Sequence, residues 1–305
     1  MLSEVPDGKA IRKATERLLR KAAADGRLPT PVDDIVAAAG LVEPEHSMLS
    51  NFVMEQAPAH IQRAFRKVSG RVQAVLDRKA REIHIDPAIR NDRRAAYRKL
   101  HEVTHDILPW QRKLGYAEDA ATFLPSMRKT FEWQANQGAA ELLFQGDLFT
   151  DMAGDYATNM AAVLELASLV GASAHAAFRR YVEVHRSAVA GVVMDLSPCS
   201  RDPLAYRRHE VICSQKWESR FGPVRDWPWT LRAQPYAFVN SAQAARRTGE
   251  AISADVTLPD LRNDAVHLRT ETYCNQYKFF VLIWVPRREL LQRQRIIAPS
   301  TAATR

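Results

Sequence analysis

The chain has 305 residues, of which 46% are apolar, with 43 Lys and Arg against 35 Asp and Glu. This composition is typical of a soluble globular protein of one to three domains. No run approaches the ~18–20 apolar residues of a membrane span, and the first residues lack the apolar segment of a signal peptide. We therefore expect a cytoplasmic protein without a membrane segment. Three cysteines without CxxC spacing argue against a disulfide framework or a cysteine zinc site.

The net charge of +8 is concentrated toward the C-terminus. Residues 199–305 contain 17 Lys and Arg against 10 Asp and Glu, a net +7, whereas residues 1–198 contain 26 against 25. Such a surface could attract nucleic acid or an acidic partner. A solvated arginine-rich face is the commoner explanation, so direct nucleic-acid binding by this third is an alternative that we do not favour.

Apolar periodicity predicts a largely helical first two thirds. Thr30 and Pro31 have the form of a helix start, with Thr30 as the cap and Pro31 in the first turn, and Gly40 closes that short helix. Alternating residues around a turn at 77–79 predict an antiparallel hairpin. The predicted helices are 8–25, 31–39, 59–67, 93–108, 126–144, 156–170 and 173–186, and the hairpin strands are 72–77 and 82–86.

The pattern changes after Pro198, where tryptophans and prolines cluster and two strands are predicted at 266–273 and 277–285. The second strand is too apolar for an exposed edge, so we expect it at the centre of a sheet. The sequence thus predicts an α+β protein with a boundary near 196–200. Its first domain, 1–198, has a helical part at 8–70 and a core at 71–198, and its second, 199–305, is a mixed α/β domain.

The most informative segment is HEVTH at 101–105, an HExxH pattern inside a predicted helix. Residues i and i+4 of a helix point the same way, so His101 and His105 can both reach one Zn²⁺. Glu102 lies beside the open fourth position, where it can accept a proton from a water molecule. The alternative is an amphipathic helix whose histidines border the core and whose glutamate faces solvent.

A third zinc ligand is predicted at Glu132, on the next long helix. It shares a helical face with the small residues Ala135 and Ala139, which permit close packing against the histidine helix. Asn136, one turn beyond Glu132, is a candidate for a hydrogen bond to the distal nitrogen of a ligand histidine.

Other polar residues near the motif receive weaker predictions. Tyr97 shares the histidine face and is a candidate oxyanion donor, although a core tyrosine is the favoured interpretation. Asp106 is a candidate for contacting a ligand, although exposure is favoured. His175 and His185 are interpreted as structural or surface residues.

These residues carry a family resemblance. RKLHEVTH at 98–105, followed by EWQANQGAAELL at 132–143, resembles the ImmA/IrrE-type zinc metallopeptidases, with their HExxH and downstream E-x-x-A-N-x-F-A-x-x-L-L pattern. The segments 30–41 and 170–184 also resemble segments of that family, so the resemblance covers about residues 8–190. The chain departs from the pattern at Thr104, where glycine is usual, at Gly138, where phenylalanine is common, and at 143–146.

The resemblance implies a zincin-like metallopeptidase domain over 1–198. It implies that His101, His105 and Glu132 hold Zn²⁺ and that Glu102 is the general acid and base. Longer family members carry an extra domain likened to a GAF-type sensor, which would correspond to residues 199–305.

The predicted function is therefore that of a zinc endopeptidase carrying out regulatory proteolysis. The resemblance implies a protein substrate, a helix-turn-helix transcriptional repressor that binds DNA. The alternatives are a non-catalytic sensor or transcriptional regulator that uses the peptidase fold as a binding module, and a toxin–antitoxin component.

Overall fold

The computed structural model describes residues 7–50, 73–115, 125–199, 202–223, 227–234 and 236–286. The chain divides into two compact units: unit 1 comprises Met1–Phe149 and Ala167–Ser173, and unit 2 comprises Thr150–Leu166 and Ala174–Arg305. Unit 1 is mostly helical and unit 2 contains a six-stranded sheet, so the predicted α+β class is confirmed. The assignment of a peptidase to 1–198 and of a sensor to 199–305 stays a prediction.

Helices and one hairpin form unit 1. In chain order they are α1 (Gly8–Lys21), α2 (Val32–Ala38), β1 (Ala74–Asp77), β2 (Glu82–Ile85), α3 (Asp92–Ile107), α4 (Pro109–Gly115) and α5 (Pro125–Phe144). These elements confirm the corresponding predicted helices and the hairpin, while the predicted helix at 59–67 lies outside the described residues. The sequence does not predict α4, because Pro109 indicates the end of one helix and does not by itself indicate the start of another.

The start of α2 differs from the prediction by one residue. Pro31 occupies the cap position, and the Thr30 hydroxyl, instead of capping α2, donates to the Leu143 carbonyl oxygen at 2.7 Å. Thr30 is buried, so this bond satisfies a hydroxyl that would otherwise lose its water partners. The side chain therefore ties the start of α2 to the end of α5.

The hairpin that precedes the histidine helix is antiparallel, with Ala74 opposite Ile85 and Asp77 opposite Glu82. The Asp77 carboxylate accepts hydrogen bonds from the Lys79 and Ala80 amides at 2.8 and 2.9 Å. These bonds replace water at the turn and stabilise it, and they lower the pKa of the Asp77 carboxyl group.

Three helices follow α5: α6 (Asp147–Asp155), α7 (Met160–Val170) and α8 (Ala174–Val184). The last two confirm the predicted helices at 156–170 and 173–186, and α6 was not predicted. Within the described residues no single helix has both the length and the apolar character needed to cross a membrane. α7 and α8 have that length and apolar character only when they are taken together, and the pair is bent by 114°.

The sheet of unit 2 is antiparallel, in the order β5-β4-β3-β8-β7-β6. Its strands are β3 (Val189–Cys199), β4 (Asp202–Cys213), β5 (Thr230–Arg232), β6 (Ile252–Pro259), β7 (Ala265–Cys274) and β8 (Lys278–Trp284), with the helices α9 (Gln215–Phe221) and α10 (Ser241–Thr248). The predicted hairpin is confirmed as β7 and β8, and β8 lies between β3 and β7, a central position as expected. The boundary predicted at 198/199 falls at the last residue of β3, a strand that pairs with β4.

Strand β3 lies at the centre of this sheet and was not predicted. Its first six residues are all buried. A Cβ added at Gly191 would lie 2.7 Å from the Phe178 ring and 2.9 Å from the Val182 side chain of α8. Because α8 covers one face of β3 and the core of unit 2 covers the other, its sequence is continuously apolar and lacks the alternation that indicates a half-buried strand.

Candidate metal centre

The two histidines of the HExxH segment lie one turn apart on α3. The helix begins with a side-chain cap, in which Asn91 accepts a hydrogen bond from the Arg94 amide at 3.0 Å. His101 and His105 place their Nε2 atoms 3.2 Å apart, with their rings inclined at 78°. Both imidazoles thus direct one nitrogen toward the same point, as two ligands of one metal ion require.

Glu132, in the first half of α5, brings a carboxylate to that point. Its Oε2 lies 3.2 Å from His101 Nε2, and its Oε1 lies 3.6 Å from His105 Nε2. Among the described residues, these three form the one group of His, Cys, Asp and Glu residues whose ligand atoms all lie within 4.8 Å of one another. We call them the metal centre. The Glu132 side chain is 63% exposed, so the site is accessible.

The donor set of the metal centre fits a metal ion that prefers nitrogen and oxygen ligands. Two imidazoles and one carboxylate are the protein ligands of a His₂Glu catalytic zinc site, which leaves a fourth position for water or substrate. The structure therefore brings together three residues that could hold a metal ion.

Close packing of α3 against α5 places Glu132 near the histidines. A Cβ added at Gly138 would lie 2.3 Å from Cγ2 and 2.9 Å from Oγ1 of Thr104, far closer than packed atoms allow. Thr104 is fully buried, and its hydroxyl donates to the Leu100 carbonyl oxygen at 2.8 Å. Thr104 and Gly138, two of the three departures from the pattern, therefore contact each other, and the missing side chain at Gly138 makes room for the larger one at Thr104.

Asn136 lies where the sequence predicts it, beside the distal nitrogen of a ligand histidine. Its Oδ1 is 3.2 Å from His101 Nδ1, a distance at which the ring nitrogen can donate. Tyr97 donates its hydroxyl to the carbonyl oxygen of Asn136 at 3.2 Å and lies 3.4 Å from Oδ1. Tyr97 thus contacts Asn136 and is only partly buried, in contrast to the favoured interpretation as a core residue.

His105 is held by a chain of buried amides that the sequence does not predict. Its Nδ1 is 2.6 Å from Oε1 of Gln111, and Nε2 of Gln111 donates to Oε1 of Gln134 at 2.6 Å. Gln134 in turn donates to the Asp7 carboxylate at 3.0 Å and accepts from the Trp110 indole at 3.0 Å. Gln111 lies on α4, beyond a helix break, so the periodicity of α3 carries no signal for it.

The electrostatics of the metal centre favour a neutral imidazole at His105 and an ionised carboxylate at Glu132. Burial, with the neighbouring His101, lowers the pKa of His105 to about 4. The side chain of His101, 3.2 Å away, lowers the pKa of Glu132 despite partial burial. Burial raises the pKa of Glu102, and Glu132 adds to this while His101 opposes it. A carboxyl group with a raised pKa is better suited to exchange protons near neutral pH than an exposed one.

Asp106 is buried, so the favoured prediction of an exposed carboxylate is wrong. Its side chain is 2% exposed and accepts hydrogen bonds from Arg81 Nη1 and Nη2 at 2.6 and 2.9 Å. Arg78, from the same hairpin turn, donates to the carbonyl oxygen of His105 at 3.4 Å. Asp106 therefore fixes the hairpin against the end of α3 and contacts no atom of the metal centre directly in the described hydrogen bonds and ion pairs.

The two histidines interpreted as structural lie in unit 2. His175 Nε2 is 3.1 Å from the Glu210 carboxylate. His185 Nδ1 accepts from the Ser187 amide at 3.1 Å, and its Nε2 is 3.3 Å from the Thr158 hydroxyl. Each histidine has hydrogen-bonding neighbours, and neither belongs to a group that could hold a metal ion within the described ranges.

Comparison with known proteins gives little help with this site. No family model matches the chain, and no curated protein matches it. A solved structure of a Mycobacterium tuberculosis transcriptional regulator is similar to it, with 10% sequence identity and a TM-score of 0.48, over 97% of this chain and 80% of that one.

Proposed function

We propose that this chain is a zinc-dependent endopeptidase with a zincin-like unit of the ImmA/IrrE type. The observation that carries the proposal is the convergence of His101, His105 and Glu132 on one point, with Glu102 next to the first histidine. The segments 98–105 and 132–143, which resemble that family, contain these same four residues.

The proposed peptide hydrolysis needs a contribution from a metal ion and one from the side chains of the protein. A zinc ion held by the metal centre would polarise a peptide carbonyl group and stabilise the negative charge that develops on its oxygen. Glu102 accepts a proton from the attacking water and passes it to the departing amine nitrogen. The raised pKa of Glu102 supports this role, because the carboxyl group must bind the proton before releasing it.

Hydrogen bonds to the distal nitrogens support the role of the histidines as ligands. Asn136 and Gln111 each present an amide oxygen to Nδ1 of a histidine, which places the proton on Nδ1 and leaves the Nε2 lone pair free. The proposed substrate is a cytoplasmic protein, a helix-turn-helix repressor being the class that the family resemblance favours. The exposed side of Glu132 leaves room for an extended polypeptide to approach.

The test compares wild type with Glu102→Gln, which keeps the three ligands and removes the proton acceptor. We expect both proteins to hold one zinc ion per chain by elemental analysis. Expressed in parallel in the same cells, they should differ in the protein N-termini found by mass spectrometry, with new termini only in wild type. On a substrate identified in this way, the variant should be slower by ~10²–10⁴-fold.

Zinc in both proteins without any difference in protein termini would overturn the peptidase and leave a metal-containing binding module. Absence of zinc from purified wild type after exposure to micromolar Zn²⁺ would overturn the metal centre itself.

A further inference from the structure

A groove runs along one face of α1 in unit 1, outside the metal centre. It encloses about 390 Å³ and is formed by α1, the ends of α2 and α3, and α4. We call it the α1 groove and define it by four cationic residues, Lys13, Arg17, Lys21 and Arg112, and by the indole of Trp110. A volume in the range of ~300–1,000 Å³ is typical of ligand-binding clefts.

The cations of the α1 groove form an elongated row. Lys13, Arg17 and Lys21 recur at every fourth residue, so they lie on one stripe of α1 about 12 Å long at ~1.5 Å per residue. Lys13 and Arg17 are exposed and form no ion pair in the described part of the chain. The Lys21 ammonium donates to the Ala38 carbonyl oxygen at 2.6 Å, which fixes it at the groove.

The carboxylate that lines the groove does not offset this charge. Asp106 is 2% exposed and already accepts two hydrogen bonds from Arg81. Arg112 Nε approaches the same carboxylate at 3.8 Å with half of its side chain exposed. The groove therefore presents an uncompensated excess of positive charge, although residues 1–198 as a whole carry a net charge of only +1.

Between the cations the lining is apolar. Ala10, Ala14 and Leu18 follow one another on α1, and Ile107 and Trp110 face them from α3 and α4. The side chains of Ala10 and Ala14 on this lining are small. An apolar strip flanked by cations matches a ligand that carries apolar groups together with negative charges.

We propose that the α1 groove binds an acidic peptide segment that bears apolar side chains, supplied by a protein partner. The row of cations is too long for a single small anion, whereas about four residues of an extended peptide span it at ~3.3 Å per residue. A nucleic acid would use the cations but would leave the strip of Ala10, Ala14 and Leu18 without an apolar partner, so we favour the peptide. The proposal goes beyond the peptidase function and does not depend on the metal.

The experiment measures binding of a short synthetic peptide composed of glutamate and leucine, with both residue types on each face of its extended form, to the full-length protein by fluorescence anisotropy. The double change Lys13→Glu with Arg17→Glu should weaken binding at least about tenfold, because it reverses two charges at the rim. The matched control, Arg246→Glu with Arg247→Glu, changes net charge equally on exposed residues of unit 2 and should leave binding unchanged. Glu132→Ala should also bind normally, so loss of the metal centre and loss of the groove are distinguished.

A second variant tests the apolar strip without altering charge. Ala14→Phe should fill the groove and weaken binding about tenfold, with circular dichroism showing an intact fold, and Ala10→Phe serves if that variant does not fold. A peptide with serine in place of leucine should bind correspondingly less tightly. The proposal is overturned if the two double charge reversals weaken binding equally, if Ala14→Phe binds normally, or if duplex DNA binds more tightly than the peptide through Lys13 and Arg17.

Discussion

Both units of the chain bring histidines and carboxylates together, but they arrange them differently. In unit 2, Glu210 contacts His175 at 3.1 Å and the Arg179 guanidinium at 2.8 Å, and Asp195 pairs with Lys278. Each of these carboxylates has a permanent cation beside it. In the metal centre, by contrast, two imidazole nitrogens and a carboxylate surround one point.

The carboxylates of unit 2 are already paired with positively charged side chains, whereas the donor atoms of the metal centre are arranged to bind a ligand. Lys278 and Arg179 supply the positive charge that Asp195 and Glu210 require, so those carboxylates contribute to the stability of the sheet. The metal centre has lone pairs directed at the same point, an arrangement that a divalent cation satisfies. Burial lowers the pKa of His105 to about 4, so this imidazole is neutral and available as a ligand at physiological pH.

The largest expected effect is the loss of zinc on removal of a ligand. His101→Ala, His105→Ala and Glu132→Ala should each lower zinc affinity by more than ~100-fold, since even the partners of ligands typically account for ~10–100-fold. Elemental analysis and competition with a chelator measure this. The matched control is His175→Ala, the same change in unit 2, which should keep one zinc ion per chain. Full zinc in a folded Glu132→Ala protein would show that the third ligand is misassigned.

A smaller effect is expected at the residues that orient the two histidines. Gln111 is 2% exposed and belongs to the buried amide chain, whereas Asn136 is exposed, so water can replace it. Gln111→Ala should lower zinc affinity by ~10–100-fold, and Asn136→Ala should lower it less. Calorimetric titration of the two variants compares them directly. An equal or larger loss in Asn136→Ala would contradict the view that the buried chain fixes His105.

Sequence reasoning found the metal centre because its signals are local. The spacing of His101 and His105 follows from α3 alone, and Glu132 and Asn136 share a face of α5. Gln111 and the burial of Asp106 were missed, because their partners come from other elements. Arg81 precedes Asp106 by 25 residues and reaches it from the hairpin turn, which no periodicity in α3 indicates.

The contrast between local signals and contacts from distant segments also explains which parts of the fold were predicted. The hairpin of β7 and β8 follows from apolar runs around a turn, and β8 was correctly expected at the centre of the sheet. β3 was missed because a strand covered on both faces lacks alternation, and the proposed domain boundary fell at its end. The sequence therefore indicates individual elements well, but the pairing of β3 with β4 and β8 depends on contacts between distant segments.

The next prediction concerns the free energy of unfolding and rests on the packing of α3 against α5. Replacing a helical glycine by alanine normally stabilises the folded protein by up to ~1 kcal/mol. At Gly138, however, the new Cβ would lie 2.3 Å from Cγ2 of Thr104. Overpacking costs ~1–3 kcal/mol, so Gly138→Ala should be destabilising and should also weaken zinc binding by separating the two helices. Denaturant unfolding measures the first effect.

Thr104→Ala combined with Gly138→Ala provides the control for this contact. If Thr104 and Gly138 determine the spacing of α3 and α5, the double variant should lose at least ~1 kcal/mol less unfolding free energy than the two single variants lose in sum. Strictly additive effects would show that the clash is relieved elsewhere.

The smallest expected effect concerns the ion pairs of unit 2. Burial would raise the pKa of Glu210, but His175 and Arg179 outweigh it, and the pKa is lowered overall. A carboxyl group with a depressed pKa stabilises the folded state above its unfolded pKa of ~4.3, and this contribution is lost as the pH falls through the folded value. Glu210→Gln should therefore lower the free energy of unfolding by ~0.5–1 kcal/mol at pH 7, a modest amount because Arg179 is half exposed. The difference in unfolding free energy from wild type should shrink as the pH falls below ~4.3, as measured by denaturant titrations at several pH values.

The zinc content of Glu210→Gln should not change. Loss of zinc from this variant would show that the ion pairs of the sheet and the metal centre are not independent.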